Sequence, residues 1–267
     1  LNNNGEKIVT GAADLTLHGG ITVNIGTLSS TGGTLGLPVG ATLAPLASFS
    51  TSNTTLNLGG SLVVAGTWTS TSTSVSLTDN ASLNHSNTNP LSLVSLQTNG
   101  YDFELASATS DLTIENAFAL SVGETLSTQG ADLIFEGSVT TSSISTIDAG
   151  DGGILEFQNG GTASGTINAE NATFKIGSAY AVTGTLKTNS STTWDLGTSN
   201  LDLSGGTLEL GGNNVVLDNI LTNKHTKFKL GEDATVTRNT GFTLGGLKFE
   251  NNIFTLGSAT TDLTLDF

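Results

Sequence analysis

Short apolar–polar–apolar triplets recur along this 267-residue chain and constrain its fold more than any other feature. Each triplet is usually followed by Gly, Asn or Asp, and successive triplets begin about 18 to 22 residues apart. Successive side chains of a strand point to opposite sides, so such a triplet is typical of a strand with one buried face. We assign to one series the triplets 15–17, 35–37, 56–58, 75–77, the single Leu93, 112–114, 133–135, 155–157, 174–176 and 194–196.

A second strand begins six or seven residues after most triplets, as at 21–23, 62–64, 118–120, 215–217 and 254–256. A third begins about twelve residues later, for example near Leu28, Trp68, Leu126, Ile167, Leu186 and Ile220. Three short strands per unit of about 20 residues describe one coil of a parallel β-helix. We therefore predict an all-β fold, a right-handed parallel β-helix (β-solenoid) of about thirteen coils. We treat residues 1–267 as a single domain of this kind and as a segment of a longer chain.

The phase of the series slips after Trp194 and resumes at the triplets 208–210, 228–230, 247–249 and 263–265. We therefore predict a short or bulged coil between Trp194 and Leu208. The period is also blurred over residues 31–53, where Pro38 and Pro45 lie close together. A β-sandwich is the rival architecture, but its turns usually come every 8 to 12 residues and here they come every five to seven.

The net charge is −15, with 23 acidic and 8 basic residues. This charge argues against binding to nucleic acid and to anionic membrane surfaces, because both need cations that face phosphate. No apolar run approaches the roughly 18 residues that cross a bilayer, so we expect no membrane insertion. The chain has no Cys and no Met, which excludes a disulfide scaffold and predicts a mature form or a piece of a longer chain.

Charged residues occupy the middle of several late triplets and should point outward. If the register holds, they form one ladder along the rod, from Glu156 through Lys175, Asp195, Glu209 and Lys229 to Lys248. Opposite charges on adjacent strands attract and like charges repel. The 195/209 and 229/248 steps are therefore unfavourable, and the first of them coincides with the phase slip.

Residues with catalytic or metal-binding chemistry are sparse and scattered. Asp148-Ala149-Gly150-Asp151 resembles a calcium turn but lacks the full ligand pattern of an EF-hand loop. The most basic stretch runs from Lys224 to Lys229 and could bind an anionic sugar or balance local acidity. We assign no catalytic residue, no cofactor-binding residue and no metal ligand, and we expect no cofactor and no enzymatic activity. A groove with two facing carboxylates, drawn from Asp148, Asp151 or Glu156, would favour an enzyme instead.

Two further surfaces come into question for binding. The loop 84–90, which ends at Pro90, could carry specificity or serve only as a turn. Ice-binding solenoids need a flat array of outward Thr-x-Thr on successive coils. The middle triplet positions read Thr16, Gly36, Asn57, Ser76 and Thr113, which is not a regular array, so the sequence does not favour ice binding.

The units at 204–214, 130–140 and 171–179 resemble the repeats of β-helical bacterial surface proteins. These are autotransporter passengers and filamentous-haemagglutinin-type adhesins. The resemblance covers nearly the whole chain, but it is a style of repeat and carries over no functional residue. It implies a secreted rod at a bacterial cell surface whose roles are adhesion and structural display.

Neither end of the chain shows a cap that would cover a terminal coil. We therefore expect the coils to continue into a longer chain or to dock end to end as a filament. The predicted function is an extracellular structural or adhesive rod that spaces or displays binding elements. Its partners would be further copies of itself and a host or neighbouring-cell surface or glycan. The alternative is a carbohydrate-active β-helix, such as a polysaccharide lyase or hydrolase or a phage tailspike.

Overall fold

A computed structural model describes residues 2–86, 90–212, 214–216, 218–258 and 262–266. These residues form a β-solenoid of about 12 turns with about 21 residues per turn, and this described part contains no helix. The predicted all-β solenoid is thereby confirmed. Leu217 and residues 87–89, which belong to a predicted strand and to the predicted binding loop, lie outside the described residues.

The strands lengthen or shorten in three successive parts of the chain. The first eight are β1 Asn2–Val9, β2 Leu15–Thr16, β3 Ile21–Thr31, β4 Thr34–Leu37, β5 Gly40–Ser52, β6 Thr55–Val64, β7 Thr67–Thr71 and β8 Ser74–His85. Next come β9 Leu91–Leu93, β10 Ser95–Gln97, β11 Phe103–Leu105, β12 Leu112–Ile114, β13 Phe118–Leu120, β14 Thr125–Thr128, β15 Leu133–Phe135, β16 Val139–Thr141, β17 Thr146–Asp148, β18 Ile154–Phe157, β19 Gly161–Ala163, β20 Thr166–Asn168, β21 Thr173–Ile176, β22 Tyr180–Val182, β23 Thr185–Asn189 and β24 Thr193–Asp195. The last ten are β25 Leu201–Asp202, β26 Thr207–Gly211, β27 Asn214–Val216, β28 Ile220–Leu221, β29 Lys227–Leu230, β30 Ala234–Thr237, β31 Phe242–Leu244, β32 Gly246–Lys248, β33 Phe254–Leu256 and β34 Leu263–Leu265.

Each coil contributes one strand segment to each of three faces, and all the strand pairings are parallel. Face I holds 7–9 of β1, 27–31 of β3, 48–52 of β5, then β7, β9, β12, β15, β18, β21, β24, β27, β30 and β33. Face II holds β2, β4, 55–58 of β6, 74–77 of β8, β10, β13, β16, β19, β22, β25, β28, β31 and β34. Face III holds 21–23 of β3, 40–43 of β5, 60–64 of β6, 81–85 of β8, β11, β14, β17, β20, β23, β26, β29 and β32.

The predicted short coil between Trp194 and Leu208 is wrong. β23 and β26 pair without a register shift from Thr185 opposite Thr207 to Asn189 opposite Gly211. Trp194 lies on face I, whereas Leu208 lies on face III. The apparent slip arises because the series passes from one face to another there. It also changes face between the triplets 75–77 and Leu93, and between 247–249 and 263–265, since all three faces repeat the same apolar–polar–apolar pattern.

Residues 31–53 follow the coil period as well as the rest of the chain does. β3 and β5 are the longest strands here, with 11 and 13 residues, because each turns the corner from face III to face I without ending. A register shift between Val23 and Ile25 marks that corner, as expected for a bulge that bends a strand. Pro45 lies at the same corner of β5, where its missing N–H costs least.

The core is a continuous column of inward-pointing Leu, Ile, Val and Phe side chains. Within it, aromatic rings form a stacked series along the middle coils. Phe118 contacts Phe135, with ring centroids 5.3 Å apart, and Phe135 stacks on Phe157 at the same distance. Phe174 and Trp194 extend the series at 5.9 Å per step. Each such pair contributes about 0.5–1.5 kcal/mol beyond the area it buries.

Coil stacking makes certain glycines obligatory, and Gly161 is the clearest case. It lies in β19 between Val139 and Tyr180 of the neighbouring coils, with φ of 141°. A Cβ at this position would collide with the carbonyl oxygen of Val139. Only glycine therefore allows the two backbones to approach at this step.

We expect Gly161→Ala to lower the free energy of unfolding by about 1–3 kcal/mol, because the new methyl group must push two coils apart. The matched control is Gly19→Ala, where an added Cβ meets no atom within 4 Å. Chemical denaturation followed by circular dichroism measures both. Equal stability of the two variants would contradict the close approach at Gly161.

Candidate functional site

The acidic side chains have a recurring structural role at the corners of the coils. Asp14, Asp102, Asp111 and Asp132 each stand directly before a strand. Their carboxylates accept hydrogen bonds, at 2.7–2.9 Å, from the backbone N–H groups of Thr34, Thr125, Asp132 and Ile154 on the next coil. Asp218 and Asp233 accept in the same way from Asn239 and Ile253. Much of the net negative charge therefore satisfies backbone donors, and the Asp-before-triplet pattern was its signal in the sequence.

The predicted charge ladder divides into two ladders on different faces. On face I, Glu156, Lys175 and Asp195 are successive register partners, as predicted. The Lys175 Nζ lies 3.2 Å from a carboxylate oxygen of Glu156. Exposed pairs of this kind contribute about 0–1 kcal/mol.

The second ladder lies on face III and includes Lys187, which the sequence analysis did not place in it. Lys187, Glu209, Lys229 and Lys248 are successive register partners. The predicted step from Asp195 to Glu209 is wrong, because the two residues lie on different faces. The predicted 209/229 and 229/248 steps are confirmed.

Hydrogen bonds explain how the second ladder tolerates two adjacent lysines. Lys229 Nζ donates to Glu209 Oε1 at 2.8 Å, and this bond together with the Glu209 charge raises the pKa of Lys229. Lys248 pairs instead with Glu250 at 2.5 Å. That bond lowers the pKa of Glu250. Each lysine therefore has its own carboxylate, and the two ammonium groups share none.

Asp148 and Asp151 lie together in a groove, as the calcium-turn pattern suggested, but Glu156 lies elsewhere on face I. The groove has a volume of about 530 Å³ and is also lined by Asn168, Glu170 and Asn171. Asn168 Nδ2 donates to Asp148 at 3.2 Å, and Asn171 Nδ2 donates to Asp151 at 2.9 Å. These amides hold the two carboxylates as part of an Asp/Asn corner. Among the described residues, no group of three or more His, Asp or Glu side chains could hold a metal ion.

The basic stretch 224–229 forms a corner followed by strand β29. Thr226 is buried, and its hydroxyl donates to the Leu203 carbonyl and accepts from the Asn223 N–H. The same arrangement recurs at Asn189 and Thr192. This Asn-x-x-Thr corner leaves Lys224 and Lys227 exposed and directs Lys229 toward Glu209.

A second groove lies on face I, where β7 and β9 are neighbours but the ladder of backbone bonds is interrupted. Its volume is about 540 Å³, and Pro45, Trp68, Ser70, Pro90 and Ser92 are among the residues that line it. Ser70 Oγ donates to the Ser92 carbonyl at 2.9 Å across the gap. The groove thus adjoins the described ends of the loop 84–90, for which the sequence predicted either binding or a simple turn.

Glu124 is a buried carboxylate that the sequence analysis missed. Only 1% of its surface is exposed, and it accepts hydrogen bonds from Thr98 Oγ1 at 2.7 Å and from the backbone N–H groups of Ser121 and Gly100. It thereby fixes the turn at Asn99–Gly100, where both residues have positive φ. Its position in a Val-Gly-Glu turn gave no sign of burial, because the donors come from the preceding coil.

Comparisons with known proteins do not add a name or a mechanism to these features. No protein-family model, no curated protein and no solved structure matches this chain. Over the part of the chain that the structure describes, no helix has the length and apolar character needed to cross a membrane.

We expect Glu124→Gln to lower the free energy of unfolding by about 2 kcal/mol or more, although the two side chains have nearly the same shape. Both carboxylate oxygens accept hydrogen bonds from donors, and the amide would present N–H groups to one of those donors. The control is Glu136→Gln at an exposed position. A loss at Glu124 no greater than at Glu136, measured by denaturant titration, would contradict the buried role.

Asp132 provides a pH-dependent test of the corner carboxylates. Burial raises its pKa, opposed by the Ile154 N–H and supported by the charges of Asp111 and Glu156. Because the folded-state pKa lies above the unfolded value, the folded state binds more protons between the two values, and this group's stabilising contribution is lost as the pH rises through them.

We therefore expect Asp132→Asn, which keeps an oxygen acceptor for the Ile154 N–H, to gain stability relative to the wild type between about pH 4 and about pH 7. Denaturant titrations at several pH values measure the difference. If the difference between the two proteins does not change with pH, the corner does not disfavour the charged form of Asp132.

Proposed function

We propose that the chain is a structural or adhesive extracellular rod that spaces or displays binding elements at a bacterial surface. The observation that carries the proposal is the fold itself, with about 12 stacked turns joined by parallel pairing. Face III alone is paired without interruption from β3 to β32. A continuous ladder of backbone hydrogen bonds resists bending, which suits a spacer.

Secretion and surface location rest on the resemblance of the repeats to autotransporter passengers and filamentous-haemagglutinin-type adhesins. The lack of cysteine suits an oxidising exterior. The corner carboxylates and their amide partners keep the backbone of successive coils engaged, which supports persistence outside the cell.

The last coil supports end-to-end association. β32, β33 and β34 are the final strands of their faces, and in the described residues no later strand pairs with them. Leu256 and Leu265 on these strands are 40% and 41% exposed, and Phe249 and Ile253 nearby are also exposed. Apolar side chains beside open strand edges are a template for another coil. In the proposal, the first coil of a second copy covers this surface and extends the rod.

Sedimentation velocity at increasing protein concentration tests this association. We expect the wild type to form larger species, and we expect the double variant Leu256→Lys with Leu265→Lys to remain monomeric because two buried charges would oppose docking. The matched control carries Val122→Lys and Ile144→Lys, which change exposed apolar residues in the middle of the rod. A wild type that stays monomeric, or an end variant that associates equally well, would contradict end-to-end docking.

A separate measurement addresses the rod as a non-enzymatic protein. We expect no cleavage when the chain is incubated with a panel of bacterial and plant polysaccharides. Cleavage that is lost in Asp148→Asn or Asp151→Asn would replace the proposal with a carbohydrate-active enzyme whose site is the acidic groove.

A further inference from the structure

Nine outward-facing residues on three consecutive coils of face I all carry hydroxyl groups. Their rows are Thr27, Ser29 and Thr31 of β3; Ser48, Ser50 and Ser52 of β5; and Thr67, Thr69 and Thr71 of β7. Each row is in register with the next, residue opposite residue, with no register shift within these segments. We call this surface the hydroxyl grid. The triplet series could not reveal it, because that series followed face II through this part of the chain.

The dimensions of the grid follow from the geometry of a parallel sheet. Neighbouring strands lie about 4.8 Å apart, and alternate residues along one strand lie about 6.6 Å apart. The hydroxyl groups therefore repeat in two directions at fixed spacing. Thr67, Thr69 and Thr71 are exposed, and the hydroxyl groups of Thr27 and Ser48 lie 3.0 Å apart across two rows.

A second layer of polar contacts holds the strands of the grid in place from behind. The buried Thr51 accepts a hydrogen bond from the Trp68 Nε1 at 3.1 Å and another from the Thr73 hydroxyl at 2.8 Å. Phe49 packs against Trp68, with ring centroids 4.8 Å apart. The threonine side chains are themselves restricted at χ1 by β-branching. The grid is therefore rigid before any ligand arrives, and binding costs it little conformational entropy.

The grid contains no charged residue, unlike the same face farther along the rod. Equivalent outward positions there carry Glu156, Lys175 and Asp195. An ionic ligand has no counterion on the grid. The grid also lacks an exposed aromatic ring on which a sugar could stack, since Trp68 points inward and is only 4% exposed. What the grid offers is a repeating set of hydroxyl and methyl groups.

We propose that the hydroxyl grid binds ice. Each hydroxyl can donate one hydrogen bond and accept two, so it can occupy the place of a water molecule in an ordered lattice. A crystalline lattice can meet all nine positions at once, whereas a flexible soluble ligand must be ordered to do so. Many weak contacts made together give strong adsorption even when each contact alone is weak. This binding site is independent of the coil ends and of the acidic groove.

The experiment grows polycrystalline ice slowly in a dilute solution of the full chain and compares the protein in the ice with that left in the liquid. We expect the wild type to be enriched in the ice and to shape single ice crystals. Thr69→Lys and Ser50→Lys should abolish both effects, because a charged side chain at the grid centre prevents close contact with the lattice. Circular dichroism and the melting temperature verify that each variant is folded, and Thr69→Lys serves if Ser50→Lys fails to fold.

The matched control is Thr42→Lys, which replaces an exposed strand threonine on face III and should leave the enrichment unchanged. A wild type that is excluded from ice overturns the proposal, as does a folded Thr69→Lys that is enriched equally well. If the wild type is excluded from ice but adsorbs to crystalline cellulose or chitin, an ordered polysaccharide is the ligand and the ice proposal fails.

Discussion

Parallel, in-register stacking of successive coils is the constraint on which the rest of this molecule depends. Every backbone donor and acceptor of a coil must find its partner about 21 residues away in the sequence. The pleat then forces alternate side chains inward and outward at each step. Phe135 and Phe157 are stacked in the core for this reason. The same register brings Glu156 and Lys175 together on the surface.

The corners show how the chain meets this constraint where strands end. A strand cannot bond across a turn, so Asp and Asn side chains accept the N–H groups that would otherwise lack a partner. The pairs Asp111 with Asp132 and Asp132 with Ile154 form one such series. It places carboxylates close together, and burial then raises the pKa of Asp132. The acidity of the chain thus has a structural origin and is not by itself evidence for catalysis.

The surface of such a rod acts as a set of columns, since each outward position has a neighbour of the adjacent coil beside it. Where the column residues alternate in sign, as at Glu209 and Lys229, they form ion pairs. Where three coils carry only Ser and Thr, they form the hydroxyl grid. Adjacent columns differ because the coils are similar in pattern but not identical in sequence. Function on this fold is therefore written in columns, and no single loop has to carry it.

The sequence alone determined the all-β solenoid and its coil length, because apolar–polar–apolar triplets and glycine corners at a fixed interval permit few other folds. It also determined most steps of the charge ladders, since those depend only on neighbouring coils. It could not assign a triplet to a face, because the three faces repeat one pattern; hence the apparent slip at Trp194 and the unnoticed hydroxyl grid. Only the tertiary structure decided which columns stand side by side, and it buried Glu124 among donors of another coil.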